Sequence, residues 1–459
     1  MHRGIFRKSL SLILMVMLLV SLALVGCSSK SGGSSSEAST SKSDGKWAGQ
    51  KIKVMMIGDF AMEDKTDPIT GQKTKGVKVL KQEFEKQHPG ATVDFVLMPW
   101  EGYTEKTQAM ITSNEADVYQ MPGVADFAPQ DILEPLQPYI DKDKEFKLDK
   151  FIDNQVDGWK VLGPNSKELT IYGLPFLGDA RFISYDKKLF DDWGVDYLSD
   201  HPTMQEVAEK AKKMTGTNPK TGKKNYGIWF RGDWSSAFTL IDLAEGQNGQ
   251  WGTGFAWEDV KFNFDSKEML NGLYWLLDLQ KYAPKGLVSN QGNEKWLSKD
   301  NNIAIMLNQG PGDTVKPAYT RGLGDRIGIA QEFKNSEGKG GLFAGSPIVI
   351  AKSSKHKELA WEWLKFATSD FVQKYVYEEL GAVPAVKSAT EWDSVKKQPL
   401  MLKVFEAMKT PVTPRYPWGS SQPRFILTSE VEAALTGKRS PEEALKKAQK
   451  ESADWVTNR

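Results

Sequence analysis

Aromatic rings and charged groups recur together in short loop-like stretches of this chain. The segment YGIWFRGDWSSAF carries Trp229, Arg231, Asp233 and Trp234, GQWGTGFAWEDV carries Trp251 and Trp257, and TPRYPWGSSQ sets Trp418 between Pro417 and Gly419. Flat rings beside acceptors and donors suit a polyhydroxylated ligand, whose C–H faces lie against an aromatic surface while its hydroxyls need paired hydrogen bonds. Carboxylates also stand where strands end. Asp59 follows a first strand and its glycine, and Asp126 follows a third in QMPGVADFA, both beyond the carboxyl ends where ligands of open α/β sheets sit. A tryptophan is equally at home in a core. Trp363, in a helical apolar stripe, and Trp100, beside Pro99 at a strand end, are read that way.

Other chemistries fit less well. The only imidazoles are His2, His88, His201 and His356, and the only thiol is Cys27, so no His and Cys metal cluster is expected. DKDKEFKLDKFI alternates carboxylates as a calcium loop does, but it lacks the central glycine and has Ile152 where a bidentate Glu should stand. GTNPKTGKKN separates its glycines by five residues, one more than a phosphate loop, and no Ser or Thr follows the lysine. It reads as a solvated turn. A glycoside hydrolase would gather the same Trp and Asp, with two carboxylates flanking the scissile bond.

The start of the chain places these residues outside the cytoplasm. His2, Arg3, Arg7 and Lys8 precede the uncharged run Ser9 to Gly26, a secretory pattern. Leu24-Val25-Gly26-Cys27 resembles the bacterial lipobox, in which small residues admit a peptidase and the thiol takes a diacylglycerol. Residues 1–26 are read as a lipoprotein signal peptide and 27–46, about half serine after the cysteine, as a lipidated Cys27 and tether too poor in apolar side chains to fold. The expected location is extracytoplasmic, anchored to the bacterial membrane through Cys27. With one cysteine no intrachain disulfide is available. Loss of residues 1–26 changes 60 Lys and Arg against 59 Asp and Glu into 57 against 59, which gives no reason to expect nucleic acid as a partner.

Beyond the tether, KIKVMMIG, the helical spacing of Val77, Leu80 and Phe84, ATVDFVLMP, EGYTEKTQAMITSNEA and DVYQM read as strand, helix, strand, helix, strand. Right-handed crossovers of this kind build parallel sheets, so the fold class is α/β. Helix starts are expected at Thr203 with Glu206, Asp265 with Glu268, and Ser440 with Glu443. One long helix is expected over about 355–380.

Taken in order, FEKQHPGATVDFV, YGLPFLGDARFISYDKKLF, AGSPIVIAKSSKHKELAWEWLKFATS, GAVPAVKSA and ALTGKRSPEEALKKAQKE resemble the extracellular solute-binding proteins of family 1, sugar-binding lipoproteins of ABC importers. The resemblance implies a two-lobe periplasmic-binding-protein-like fold of type II, each lobe a mostly parallel sheet flanked by helices, with a hinge between. It sets one lobe at 47–176 plus 343–395 and the other at 177–342 plus 396–459. It implies a carbohydrate ligand in the interlobe cleft, ABC permease subunits as partners, a monomer, no cofactor and no enzymatic activity. Asp179 and Arg181 fall just past the first crossing, where relatives place ligand contacts, and Trp418 falls where an aromatic stacks on the sugar. Asn308 and Asp313 match a loop that often holds a Trp in relatives and lacks it here. Ser346, in AGSPIVI, completes the implied ligand set, with Asp59, Asp126, Trp229, Arg231, Asp233 and Trp234. Tyr185-Asp186-Lys187 departs from the family's Tyr-Asn-Lys and is read as structural. A surface-tethered glycoside hydrolase and a receptor for a non-sugar such as glycerol phosphate are the alternatives.

Overall fold

The computed structural model describes residues 45–66, 73–233, 235–254, 260–341, 343–412 and 422–458. The signal segment, Cys27, most of the tether, Trp234, Trp257 and Trp418 lie outside the described residues.

The chain opens with β1 (Lys51–Ile57), α1 (Lys78–Gln87), β2 (Thr92–Met98), α2 (Tyr103–Thr112) and β3 (Val118–Gln120), the alternation expected from sequence. It continues through β4 (Leu174–Asp179), β5 (Phe182–Asp186), α3 (Lys187–Trp193), α4 (Met204–Lys213), β6 (Gly216–Thr217), β7 (Lys224–Trp229), α5 (Ser236–Gly246) and α6 (Lys267–Leu279). Then come β8 (Ile303–Gln309), α7 (Pro311–Thr320), β9 (Ile327–Gln331), β10 (Ala344–Ile350), α8 (Lys357–Ala367), α9 (Asp370–Leu380), β11 (Val383–Pro384), α10 (Pro399–Met408), α11 (Gln422–Leu435) and α12 (Pro441–Thr457).

Two main sheets result. The first has the order β11-β4-β10-β3-β1-β2 and the second β6-β7-β8-β5-β9. Among the described residues only β1 with β2, β1 with β3, and β7 with β8 pair in parallel; the ladders of β10 with β3 and β4, and of β5 with β8 and β9, are antiparallel. The expectation of mostly parallel sheets is therefore corrected. A parallel neighbour needs a crossover, which α1 and α2 supply, whereas β10 returns from the second sheet and enters the first from the opposite end. The boundary expected between residues 176 and 177 falls inside β4.

Local chemistry fixes the ends of elements. Thr203 accepts the Glu206 N–H and Ser440 forms a reciprocal capping box with Glu443, as expected. The cap expected at Asp265 belongs to Ser266, whose hydroxyl accepts the Met269 N–H. The single helix expected over 355–380 is two: the Thr368 and Ser369 hydroxyls donate back to Leu364 and Phe366 carbonyls, and Ser369 turns extended before α9 starts. Trp363 is 1% exposed and packs on Phe84 and Phe366, the core role expected.

Candidate functional site

The ends of the strands gather the charged side chains. In the first sheet β1, β2, β3 and β4 finish on one edge, so Asp59, Trp100, the 121–127 loop and Asp179 share it; β10, running the other way, begins there and brings Ser346. In the second sheet β7, β8 and β9 finish beside the start of β5, because Gln309 and Gln331 both pair with Phe182. Arg231 and Asp233 follow the end of β7, Glu332 follows that of β9, and Asn308 is the last residue but one of β8. Ala180 and Arg181 alone separate β4 from β5, so Asp179 and Arg181 sit where one sheet passes into the other.

Arg181 is the centre of this group. Its Nη1 donates to both Asp179 oxygens at 2.8 Å, and each of the two side chains keeps 26% exposure. Burial disfavours the guanidinium charge, but Asp179, Asp313 and Asp242 more than offset it and hold the group above its ordinary pKa. Burial pushes Asp179 up, against Arg181 and the Ala180 N–H, with Asp313 repelling it further. A Cβ on Gly310 would meet Arg181 Nη1 at 2.8 Å. The backbone there must be bare for the guanidinium to lie across it.

Asn308 joins the group to two more acids. It adopts the left-handed region at φ 50°, which Asn tolerates. Its side-chain Nδ2 donates to Asp242 Oδ2 at 2.7 Å, and its backbone N–H donates to Glu332 Oε1 at 3.2 Å. Glu332 is buried, and burial raises it well above the usual carboxylate range despite the Asn308 N–H and Arg181. Asp242 lies on α5 in line with Thr239 and the N-cap Ser235, at positions i+7, i+4 and i of one face. The Thr239 hydroxyl is buried there without a hydrogen-bond partner.

The remaining expected residues distribute around this centre. Arg231 Nε lies 3.9 Å from Asp233 Oδ1, with Asp233 pushed up by burial. Asp313 is exposed in the first turn of α7. Asp59 is exposed, and its charge acts on Lys316 of α7, opposing the effect of burial there. Ser346 is buried at the bulge opposite Leu177, and Asp126 is half-buried on its loop. Trp229 differs from the sequence reading: it is fully buried and its indole N–H donates to the Gln291 carbonyl, so its ring packs the core and offers no open face. Trp251 is likewise buried, donating to Glu245 at 2.6 Å. Trp100, read as structural, is 45% exposed.

Sequence reading missed Asp242 and Glu332. Glu332 directly follows a strand, the same signal that found Asp59. Asp242 required seeing three polar positions, Ser235, Thr239 and Asp242, at helical spacing within SSAFTLIDLAEG. Among the described residues no group of three or more His, Cys, Asp or Glu could hold a metal ion, and no helix is long and apolar enough to cross a membrane.

Comparison with known proteins fits this architecture. Residues 70–374 match the family of bacterial extracellular solute-binding proteins. A binding protein of Brucella abortus is 25% identical over 390 residues, covering 80% of this chain and 87% of that protein. The sn-glycerol-3-phosphate-binding periplasmic protein UgpB of Brucella melitensis is 25% identical over 301 residues, covering 61% and 66%. The structure of the sugar-binding protein MalE from Xanthomonas citri superposes with a TM-score of 0.71 at 21% identity, covering 89% of this chain and 98% of that one, which shows a shared two-lobe fold. With its two sheets meeting edge to edge around Arg181 and most of its length matched by the family, the chain is a member of the bacterial extracellular solute-binding proteins.

Proposed function

We propose that the protein is the extracytoplasmic receptor of an ABC importer, which captures a neutral sugar or oligosaccharide between its lobes and passes it to the permease, tethered by a lipid on Cys27. The observation that carries the choice of ligand is the charge of the central group. One guanidinium, already bonded to Asp179, is surrounded by Asp242, Asp313 and Glu332 as well. Carboxylates in excess accept hydrogen bonds from sugar hydroxyls, while a phosphate dianion would enter against them with no cation of that group left to receive it. This favours a sugar over the glycerol phosphate named for the UgpB relatives. Neutral hydroxyls also tolerate the protonated form of Glu332, which then donates rather than accepts.

A thermal-shift panel of neutral sugars with sn-glycerol 3-phosphate tests the reading. A ligand that binds only the folded state adds about 2.7 kcal/mol of stability at a hundredfold excess over Kd. At least one sugar is expected to raise Tm without being consumed. Stabilisation by glycerol 3-phosphate alone would overturn the sugar assignment, and turnover of a glycoside would overturn the receptor role.

A further inference from the structure

Helix α9 ends without the base that its last turn calls for. Glu378 and Glu379 stand there and no Lys or Arg does, although the carbonyls at a helix C-terminus carry a partial negative charge that favours a cation. The cation comes from the other lobe. α9 belongs with the first sheet, where the Gln373 side chain donates to the Phe176 carbonyl of β4 and accepts the Ala385 N–H, whereas α7 follows β8 of the second sheet. Half-buried Lys316 of α7 reaches across to Gly381, which closes α9 in the left-handed region at φ 70° with its N–H on the Tyr377 carbonyl at 2.9 Å. A Cβ on Gly381 would collide with Lys316 Cδ and stand 2.9 Å from Cε and 3.0 Å from Nζ. The lysine stem therefore lies against a position with no side chain to displace it.

The charges around this contact suit a cation. Glu379 accepts the Lys75 N–H at 2.8 Å, which holds its carboxylate at the helix end, and Glu379 and Asp59, both of the first lobe, favour the Lys316 ammonium against its burial. The same helix α7 opens beside the Arg181 group: Gly310, which precedes it, packs against that guanidinium, and Asp313, one turn before Lys316, is among the acids acting on it. A ligand at Arg181 and a lysine at Gly381 therefore bear on one element. We infer that Lys316 is a positioning residue that latches the lobes, a cation of one lobe seated on the C-terminal end of α9 in the other, and that it favours their closed arrangement without touching the ligand. The apparent affinity of a receptor scales with the fraction of chain in the binding-competent form, so the latch strengthens every ligand alike. The inference rests on the receptor reading but not on which solute is bound.

The test compares the parent with Lys316→Met, which keeps the stem and removes the charge, with Lys316→Arg, which restores the charge, with Gly381→Ala, which pushes the lysine off from the other side, and with the Lys316→Met and Gly381→Ala double variant, each checked for folding by circular dichroism. Small-angle scattering without ligand reads the latch directly. Lys316→Met and Gly381→Ala should show a larger radius of gyration than the parent, and Lys316→Arg should match it. Stopped-flow binding of two sugars from the thermal-shift panel should show both weakened by the same factor, about threefold to tenfold, through faster dissociation, with the double variant no worse than either single one. An unchanged radius of gyration or unchanged sugar affinities in Lys316→Met, or losses that add in the double variant, overturn the latch. So does a loss confined to one sugar, which would put Lys316 at the ligand. A parent that binds none of the panel sugars overturns the sugar reading alone, and the scattering still decides the latch.

Discussion

Glu245 is a carboxyl that burial pushes up to about 8 from an ordinary 4.5, with only the Trp251 indole N–H pulling it back and with Oε2 unpartnered. Between those two values the folded chain holds a proton that the unfolded chain has released. Stability should therefore fall as pH rises from about 4.5 through about 8, and the contribution lost belongs to the protonated acid. Glu245→Gln keeps the shape and the acceptor for Trp251 while removing the ionisation. Urea unfolding of parent and variant at about pH 5.5 and about pH 8.5 should show the parent losing more stability than the variant between them. Parallel pH profiles would place the titration elsewhere. At Asp186 the departure from the family's Asn has a visible cause: its carboxylate, fully buried, accepts Arg326 Nε at 2.8 Å and Nη2 at 2.6 Å, and Asn301 Nδ2 at 2.7 Å, and it caps α3. Asp186→Ala leaves a mostly buried guanidinium unpaired and should cost about 3–5 kcal/mol, with Asp186→Asn between it and the parent. Denaturant midpoints check this, and equal stability of all three would mean the pair contributes nothing.

Elements were legible where periodicity, caps and crossovers act locally, and less so where a single side chain or a distant strand decides. The alternation through β3 and the caps at Thr203 and Ser440 could be read directly. The break between α8 and α9 could not, because the apolar stripe continues through both and two hydroxyls alone interrupt it. Strand direction failed for a different reason, since the partner of β10 is fixed by the return of the chain rather than by anything within AGSPIVI. Gly227 shows how closely an element can depend on one position. β7 lies so near α4 that a Cβ there would stand 1.8 Å from the Ala211 carbonyl oxygen, a backbone atom that moves only with its helix. Gly227→Ala should force the strand and helix apart and cost about 1–3 kcal/mol or more, read as a lowered Tm. A variant as stable as the parent would show that the strand and helix separate freely.

For the whole molecule, the order of motifs along the chain pointed to the two-lobe fold, because five short segments in register constrain topology more than any one constrains a residue. The site was legible in kind and only partly in detail. Asp59 and Asp126 were read from the strands they follow and Asp233 from the loop after YGIWF, Asp179 and Asn308 came from the resemblance, and Asp242 and Glu332 emerged only when the second sheet's edge folded them toward Arg181. Aromatics fared worst, since Trp229, expected at the ligand, is fully buried while Trp100, expected in the core, is 45% exposed: a Trp that ends a strand is buried or open according to what packs over it, which sequence does not carry. The central claim is that this edge selects a neutral polyhydroxylated solute through carboxylates in excess of cations. Isothermal titration of the mature chain with its best sugar and with sn-glycerol 3-phosphate, each at low and at high salt, tests it most directly. The account predicts a sugar affinity near micromolar, about 8 kcal/mol, that salt leaves unchanged, and glycerol 3-phosphate at least about a hundredfold weaker. Tighter binding of glycerol 3-phosphate, weakened by salt, would contradict it.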